Sequence, residues 1–301
     1  MLTVSDTKHR SSFGSWLLLT VITVACLAPF VNKAFHIDDT LFLWIARHIQ
    51  TDPFDFYGFT ANWYGRAMPM AEITQNPPLT SYYIALITAI AGWQEVYLHM
   101  GFWLPAIGAS LGTFMLARHF CRQPTLAALV AILTPAFLVS ATNVMSDVLL
   151  LCFFTWAVVI WIQGLDRNRT IYYGVASLLI TLAMLTKYFG VALIPLLLAY
   201  ALFYKRRMGW WMLALVIPLA VMAGYQWFTW QVYGRGLLTG AAAYALDKGF
   251  DSQAVTARLT TTLAFTGGSL ASVFFFLPLL WKRRQISIFL GLTVVVGIIF
   301  M

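Results

Sequence analysis

Residues 171–204 read IYYGVASLLITLAMLTKYFGVALIPLLLAYALFY, a long apolar stretch whose single charged residue is Lys187, near its middle. Two readings compete. As one continuous helix it would run about 51 Å at 1.5 Å per residue, too long for a hydrocarbon core of about 30 Å. It would also put Arg167 and Arg169 on one side of a membrane and Lys205, Arg206 and Arg207 on the other. Two short crossings with a turn at Lys187 leave both basic groups on one side, in keeping with the cytoplasmic bias of Lys and Arg. The stretch therefore predicts two helices, 171–186 and 188–204, in a membrane-spanning bundle.

The whole chain agrees with that class. Its 301 residues are 60% hydrophobic and only 10% charged, with a mean hydropathy of +0.78. Such a composition excludes an ordinary soluble domain and points to a multi-span membrane protein. Further apolar runs of crossing length lie at 16–31, 97–117, 124–141, 148–165, 209–230, 263–281 and 286–301. Each is read as a helix, because lipid cannot satisfy a bare backbone. Pro135, Pro195, Pro218 and Pro278 are expected to interrupt these helices. The first run follows Lys8 and Arg10, lacks a small-residue cleavage site, and is read as a retained anchor.

The run 79–92, LTSYYIALITAIAG, is too short for a crossing and suits a re-entrant or interfacial segment. With it kept out of the count, the basic residues separate by side. Arg118, Arg122, Arg167, Arg169, the cluster 205–207 and the cluster 282–284 fall together with Lys8 and Arg10, accompanied only by Asp6 and Asp166. This predicts a cytoplasmic N-terminus (1–15), a single transmembrane domain (16–301), a long external first loop (32–96) and a second external loop (231–262).

All the other acids then lie on the external side, which makes that side the candidate site. Asp38 and Asp39 precede Phe42, Ile45, Ala46 and Ile49, an apolar set at helical spacing that predicts a short interfacial helix ending at Thr51-Asp52-Pro53. The acids either begin that helix, favoured by its dipole, or serve a reaction. Asp147 opens the span 148–165, either as its N-cap or as a functional carboxylate at the membrane edge. Lys187 is either a snorkelling lysine or a partner for a lipid-linked phosphate. Arg235, between two glycines, has the same two options as a loop arginine or an anion ligand. His36 either packs at the interface or assists the acids.

Several chemistries find no support. The five histidines have no HExxH or clustered spacing, and Cys26, Cys121 and Cys152 have no CxxC, so no metal site is predicted and the cysteines are read as packing residues. A divalent metal is compatible with the acids, but ligand spacing does not call for one. There is no GxGxxG and no P-loop. The basic residues serve topology and do not form a nucleic-acid surface.

The order of motifs has a precedent. An external acidic pair after the first span, NPPLTSYYIAL at 76–86, an aspartate opening SDVLLLCFFTWAVVIWIQGL at 146–165, and LLITLAMLTKYFGVALIPLLLAYAL at 178–202 together resemble the GT-C superfamily of integral membrane glycosyltransferases. Within it the chain looks most like bacterial members of glycosyltransferase family 39, kin of the dolichyl-phosphate-mannose protein mannosyltransferases and of the aminoarabinose transferase that modifies lipid A. The family's usual Asp-Glu motif is Asp38-Asp39 here, its PPL motif is led by Asn76, and its lysine turn is LTKYFG. The resemblance implies an all-α GT-C-type bundle of about nine transmembrane helices, with interfacial helices in the first external loop. It implies transfer of a sugar from a polyprenyl-phosphate donor to an acceptor on the external face of a bacterial inner membrane. It assigns the general base to Asp38 or Asp39, acceptor and sugar orientation to Asp147, His36 and Asn76, and the donor phosphate to Lys187 and Arg235. Two other classes stay open: a transporter or lipid flippase, and a catalytically inactive relative.

Overall fold

In the computed structural model, residues 12–206 and 208–249 are described, and the account below is of these. The chain opens with α1 (Ser12–Leu27) and a short 3-10 turn, then α2 (Asp39–Ile49). A two-stranded antiparallel hairpin follows, β1 (Thr60–Asn62) and β2 (Ala67–Pro69), pairing Ala61 with Met68. Next come α3 (Met70–Ile73), α4 (Leu79–Ala91) and α5 (Glu95–Phe120). They are followed by α6 (Pro124–Ile132), α7 (Pro135–Ala141), α8 (Ser146–Arg167) and α9 (Thr170–Thr186). The described part closes with α10 (Leu193–Lys205), α11 (Leu213–Tyr233) and α12 (Leu237–Gly249).

All seven described apolar runs are helical. Five elements are long and apolar enough to cross a membrane: Phe13–Phe30, Glu95–Phe120, Ser146–Arg167, Tyr188–Lys205 and Trp210–Tyr233. The pair α6–α7 makes a sixth if its halves count as one crossing, bent by 63°. Pro135 causes the break, since it has no N–H to continue the ladder of α6. Thr134 caps the new helix, its Oγ1 accepting the Phe137 amide at 3.3 Å. The predicted crossing 171–186 is α9, which at 17 residues falls short of that length. The last two predicted spans, 263–281 and 286–301, lie outside the described residues, as does Pro278.

Pro195 and Pro218 correct the expectation that each proline interrupts a helix. Pro195 is the third residue of α10, inside the first turn, where a missing N–H costs nothing. Pro218 lies inside α11, which continues past it to Tyr233.

The stretch 171–204 breaks where its lysine predicts. Helix α9 ends at Thr186, and Lys187 is extended, with φ −156° and ψ 137°. A 3-10 turn over Tyr188–Ala192 then leads into α10. Gly190 makes the fold-back possible, because a Cβ there would sit 2.5 Å from the Met184 amide nitrogen of α9.

The core lies where α5, α8 and α9 pack together. Trp161 of α8 is fully buried. It meets Tyr173 of α9 edge-on at 5.3 Å and Trp211 at 5.9 Å. The outer surface is apolar: Phe203, Ile90 and Leu104 are 85%, 80% and 68% exposed. Side chains of this kind, spread over long apolar helices, suit contact with lipid and not with water. Helix α4 is about 20 Å long at 1.5 Å per residue, too short to cross alone, and it lies against α2. The amphipathic reading of α2 holds in detail, since Phe42, Ile45, Ala46 and Ile49 are all buried.

Polar contacts tie the helix termini at two ends of the bundle. At one end Ser15 of α1 bonds Thr125 of α6 at 2.9 Å, and Asp166 of α8 accepts from Tyr204 of α10 at 2.7 Å. The start of α1 and the turns after α5, α8 and α10 are thereby drawn to one end. At the other end lie the turn before α2, the α7–α8 connection and the α9–α10 break.

Candidate active site

The site is organised around residues 142–147, the connection from α7 to α8 and the first two residues of α8. From one side Lys33 reaches this connection, its Nζ donating to the Thr142 carbonyl at 3.4 Å and to Asn143 Oδ1. The Lys33 carbonyl lies 2.9 Å from Nε2 of His99, a buried histidine of α5 stacked on Phe35. Lys33, Asn143 and His99 were not singled out from the sequence. Their signals were weak: a lysine just past a span, an asparagine beside Ser146-Asp147, and a histidine within an apolar run.

Three residues after Phe35 the two acids part company. Asp39 is fully buried. Its Oδ2 accepts the His36 amide at 2.8 Å while its own amide donates to the His36 carbonyl at 3.0 Å, closing the turn with two reciprocal bonds. The Val144 amide also acts on the carboxylate, although Oδ1 has no partner at full hydrogen-bond geometry. Burial raises the Asp39 pKa above its ordinary value, and the His36 and Val144 amides offset this in part. Asp38 points the other way. It occupies the N-cap position of α2 yet makes no capping bond. Its carboxylate is 49% exposed and lies 3.7 Å from His36 Nδ1. Of the pair, Asp39 builds the turn and Asp38 is open to a ligand.

From the other side Lys187 meets the connection. Its Nζ donates to Asp147 Oδ1 at 2.8 Å, with the two side chains 40% and 39% exposed. Asp147 is not the N-cap of α8, since Met145 holds that position and no side chain caps the helix. It sits in the first turn, where a carboxylate favours the helix dipole and still faces the lysine. Lys187 does not snorkel alone but pairs with this acid. Asn143, Val144 and Asp147, within five residues, thus hold Lys33, the Asp39 turn and Lys187 to one piece of backbone.

The structure does not bring Arg235 and Asn76 to that piece. Arg235 donates to the Ala71 carbonyl of α3. The Asn76 side chain contacts Thr74 at 3.4 Å, and its carbonyl accepts the Tyr57 hydroxyl. Among the described residues no contact joins Arg235 to Lys187, Asp147 or the 36–39 turn. Between them stands an aromatic cluster in which Phe56 packs on Tyr57, Tyr225 and Tyr233 at 4.7, 6.5 and 5.6 Å. Burial, with neighbouring tyrosines, pushes the Tyr57 hydroxyl well above its ordinary pKa, so it stays a neutral donor. The cluster touches the Lys187 turn through Tyr188, whose hydroxyl is 3.5 Å from that of Tyr225.

Among the described residues no three His, Cys, Asp or Glu side chains are grouped as a metal would need. Cys26 and Cys152 are partly buried, but Cys121 is exposed, which corrects its reading as a packing residue. Residues 75–230, just over half of the chain, match the family model described as dolichyl-phosphate-mannose-protein mannosyltransferase. The matched span includes Asn76, Asp147 and Lys187, begins after the 36–39 turn and stops before Arg235. No curated protein matches the chain.

Proposed function

The chain belongs to the dolichyl-phosphate-mannose-protein mannosyltransferase family, and on that premise we propose that it transfers a sugar from a polyprenyl-phosphate donor to an acceptor hydroxyl, with Asp38 as general base. It is an integral membrane glycosyltransferase of the GT-C type; the donor, the face and the residue roles are our reading. The donor arrives already embedded in lipid, so a nucleotide-sugar site is not required. The acceptor oxygen attacks the anomeric carbon, Asp38 takes the hydroxyl proton, and the bond from that carbon to the phosphate oxygen breaks with its electrons going to phosphate. Positioned base catalysis contributes about 10²–10⁴ in rate.

Lys187 meets the charge that develops on the phosphate, and Asp147 holds the ammonium in place. His36 orients the Asp38 carboxylate from 3.7 Å. Asp39 keeps its place in the turn and takes no part in proton transfer. Asn76 and Arg235, candidates by sequence for sugar and phosphate contact, act in this reading as braces of the first loop through Tyr57 and Ala71. The site end of the bundle is assigned to the external face of a bacterial inner membrane, because the opposite end carries the basic turns.

One observation carries this reading. The Lys187–Asp147 pair, 2.8 Å long and about two-fifths exposed, opens α8 three residues after Val144, which contacts the first-loop turn. A pumping or flipping function would place its ionisable residues within the spans, whereas the ion pairs here lie at helix ends. Lys187→Met in the full-length protein tests the assignment, with transfer measured against polyprenyl-phosphate-sugar concentration. The expected result is a raised donor KM and a lower rate at saturation. Donor dependence identical to the parent protein would remove Lys187 from the site.

A further inference from the structure

The end of the bundle opposite the active site carries cations that no acid among the described residues matches. Arg118 ends α5, Arg122 precedes α6, Arg167 ends α8, Arg169 precedes α9, Lys205 ends α10 and Arg206 follows it. Hydrogen bonds and a histidine–aspartate contact draw these turns together. Asp166 accepts from Tyr204 at 2.7 Å and lies 3.9 Å from His119 Nδ1, while the Tyr200 hydroxyl is 3.5 Å from His119 Nε2. Three helix ends, from α5, α8 and α10, meet in that cluster.

Asp166 is the only acid in these described turns, and it is already engaged by a tyrosine and a histidine. None of the six cations makes an ion pair among the described residues. Three of them lie over aromatic rings instead: Arg118 over Phe114 at 5.9 Å, Arg167 over Tyr172 at 5.2 Å and Lys205 over Tyr204 at 5.5 Å. A ring lends a cation about 0.5–1 kcal/mol at an exposed site and does not neutralise it. Tyrosines such as Tyr172 and Tyr204 are favoured at headgroup depth in a bilayer, which suits Arg167 and Lys205 above them to the level of lipid phosphates.

We propose that this end of the bundle is a binding surface for acidic phospholipid headgroups, with Arg122, Arg169 and Arg206 as its freest ligands. All three are exposed, and among the described residues their side chains make no hydrogen bond, ion pair or cation–π contact, so a phosphate displaces no protein partner when it binds them. The attraction of a basic residue near an anionic membrane surface is worth about 1 kcal/mol, which is roughly fivefold in lipid preference for each. It fades at high salt, where the screening length falls from about 10 Å at 0.1 M to about 3 Å at 1 M.

The test uses the full-length protein in bilayers of phosphatidylcholine mixed with phosphatidylglycerol. Quenching of tryptophan fluorescence by a brominated form of each lipid gives their relative binding constants. Trp210, 48% exposed, reports from the turn after α10. The parent protein should prefer phosphatidylglycerol, and the double variant Arg122→Gln/Arg169→Gln should lower that preference by roughly 25-fold, about fivefold for each arginine. The double variant Arg47→Gln/Arg66→Gln, away from these turns, should keep it. Equal binding of the two lipids by the parent protein would overturn the proposal. So would equal losses in both variants, or full competition by millimolar inorganic phosphate, which would mark a site for a free anion and not for lipid.

Discussion

Replacing Asp38 and Asp39 one at a time separates catalysis from architecture, because neighbouring carboxylates are placed here in opposite environments. Asp38 is about half exposed and caps nothing, so Asp38→Asn should move stability by no more than about 0.5 kcal/mol. If it is the base, transfer should fall by about 10²–10⁴, or roughly 2.7–5.5 kcal/mol in the barrier. Asp39 is fully buried and accepts the His36 amide, with the Val144 amide close by. Asp39→Ala leaves the His36 amide without its partner, at about 1–3 kcal/mol, and removes the weaker interaction with the Val144 amide. Asp39→Asn retains a carbonyl acceptor for His36 and should cost less. It also removes a pH dependence. The unfolded carboxylate loses its proton near 3.8, while burial keeps the folded one protonated to higher pH. Between the two the folded chain holds the extra proton, so stability falls as pH rises through that window and then levels off. Asp39→Asn should flatten this slope. Thermal unfolding in detergent from pH 4 upward, with sugar transfer measured on the same preparations, reads all of these quantities. An active Asp38→Asn together with an inactive but fully stable Asp39→Asn would refute the division of roles.

Three further outcomes are expected. In a double-mutant cycle of Asp147→Asn and Lys187→Met, the stability coupling should be only about 0.2–1 kcal/mol, given an ion pair two-fifths exposed. The losses in transfer should be far from additive; additive losses would show that the two side chains act separately. Gly190→Ala should destabilise by about 1–3 kcal/mol, since its Cβ would meet the Met184 nitrogen at 2.5 Å, and should displace Lys187, raising donor KM. An unchanged KM would detach the turn from the site. Lys33→Met removes the tie to Thr142 and Asn143 and should lower kcat more than it raises KM, which steady-state kinetics reads directly.

Where a pattern is local, it is legible in the sequence. Phe42, Ile45, Ala46 and Ile49 recur at 3.6-residue spacing, and one helix face buries all four. Lys187 marks a break because a charge inside an apolar stretch and a limited membrane thickness allow few alternatives. The split between Asp38 and Asp39 is not legible. Adjacent helical residues differ by about 100° in direction, and the side that is buried is set by Val144 and His99, more than fifty residues away in the chain. Arg235 shows the same limit from the other direction: a glycine-flanked arginine reads either as a loop residue or as an anion ligand, and its bond to a carbonyl of α3 is not legible in that pattern. Lys33 and Asn143 escape notice because neither belongs to a periodic pattern, and their importance lies in a bond across 110 residues.

The Asp147–Lys187 pair has a consequence for how the site binds. An ion pair this exposed contributes little to holding α8 against the α9–α10 break, and the break is already held by Gly190 backing onto Met184. The fold therefore does not depend on the pair, yet it spends backbone geometry on presenting it: an extended residue between two helices on one side, a first-turn residue on the other. In that arrangement the carboxylate holds the ammonium at 2.8 Å, so any other anion must displace it. If Lys187 takes the donor phosphate as proposed, that phosphate has to compete with Asp147 for it, and a phosphate bringing a long lipid tail has the membrane to help it, whereas a free one does not. The weakness of the pair is thus what suits it to a ligand delivered from the bilayer.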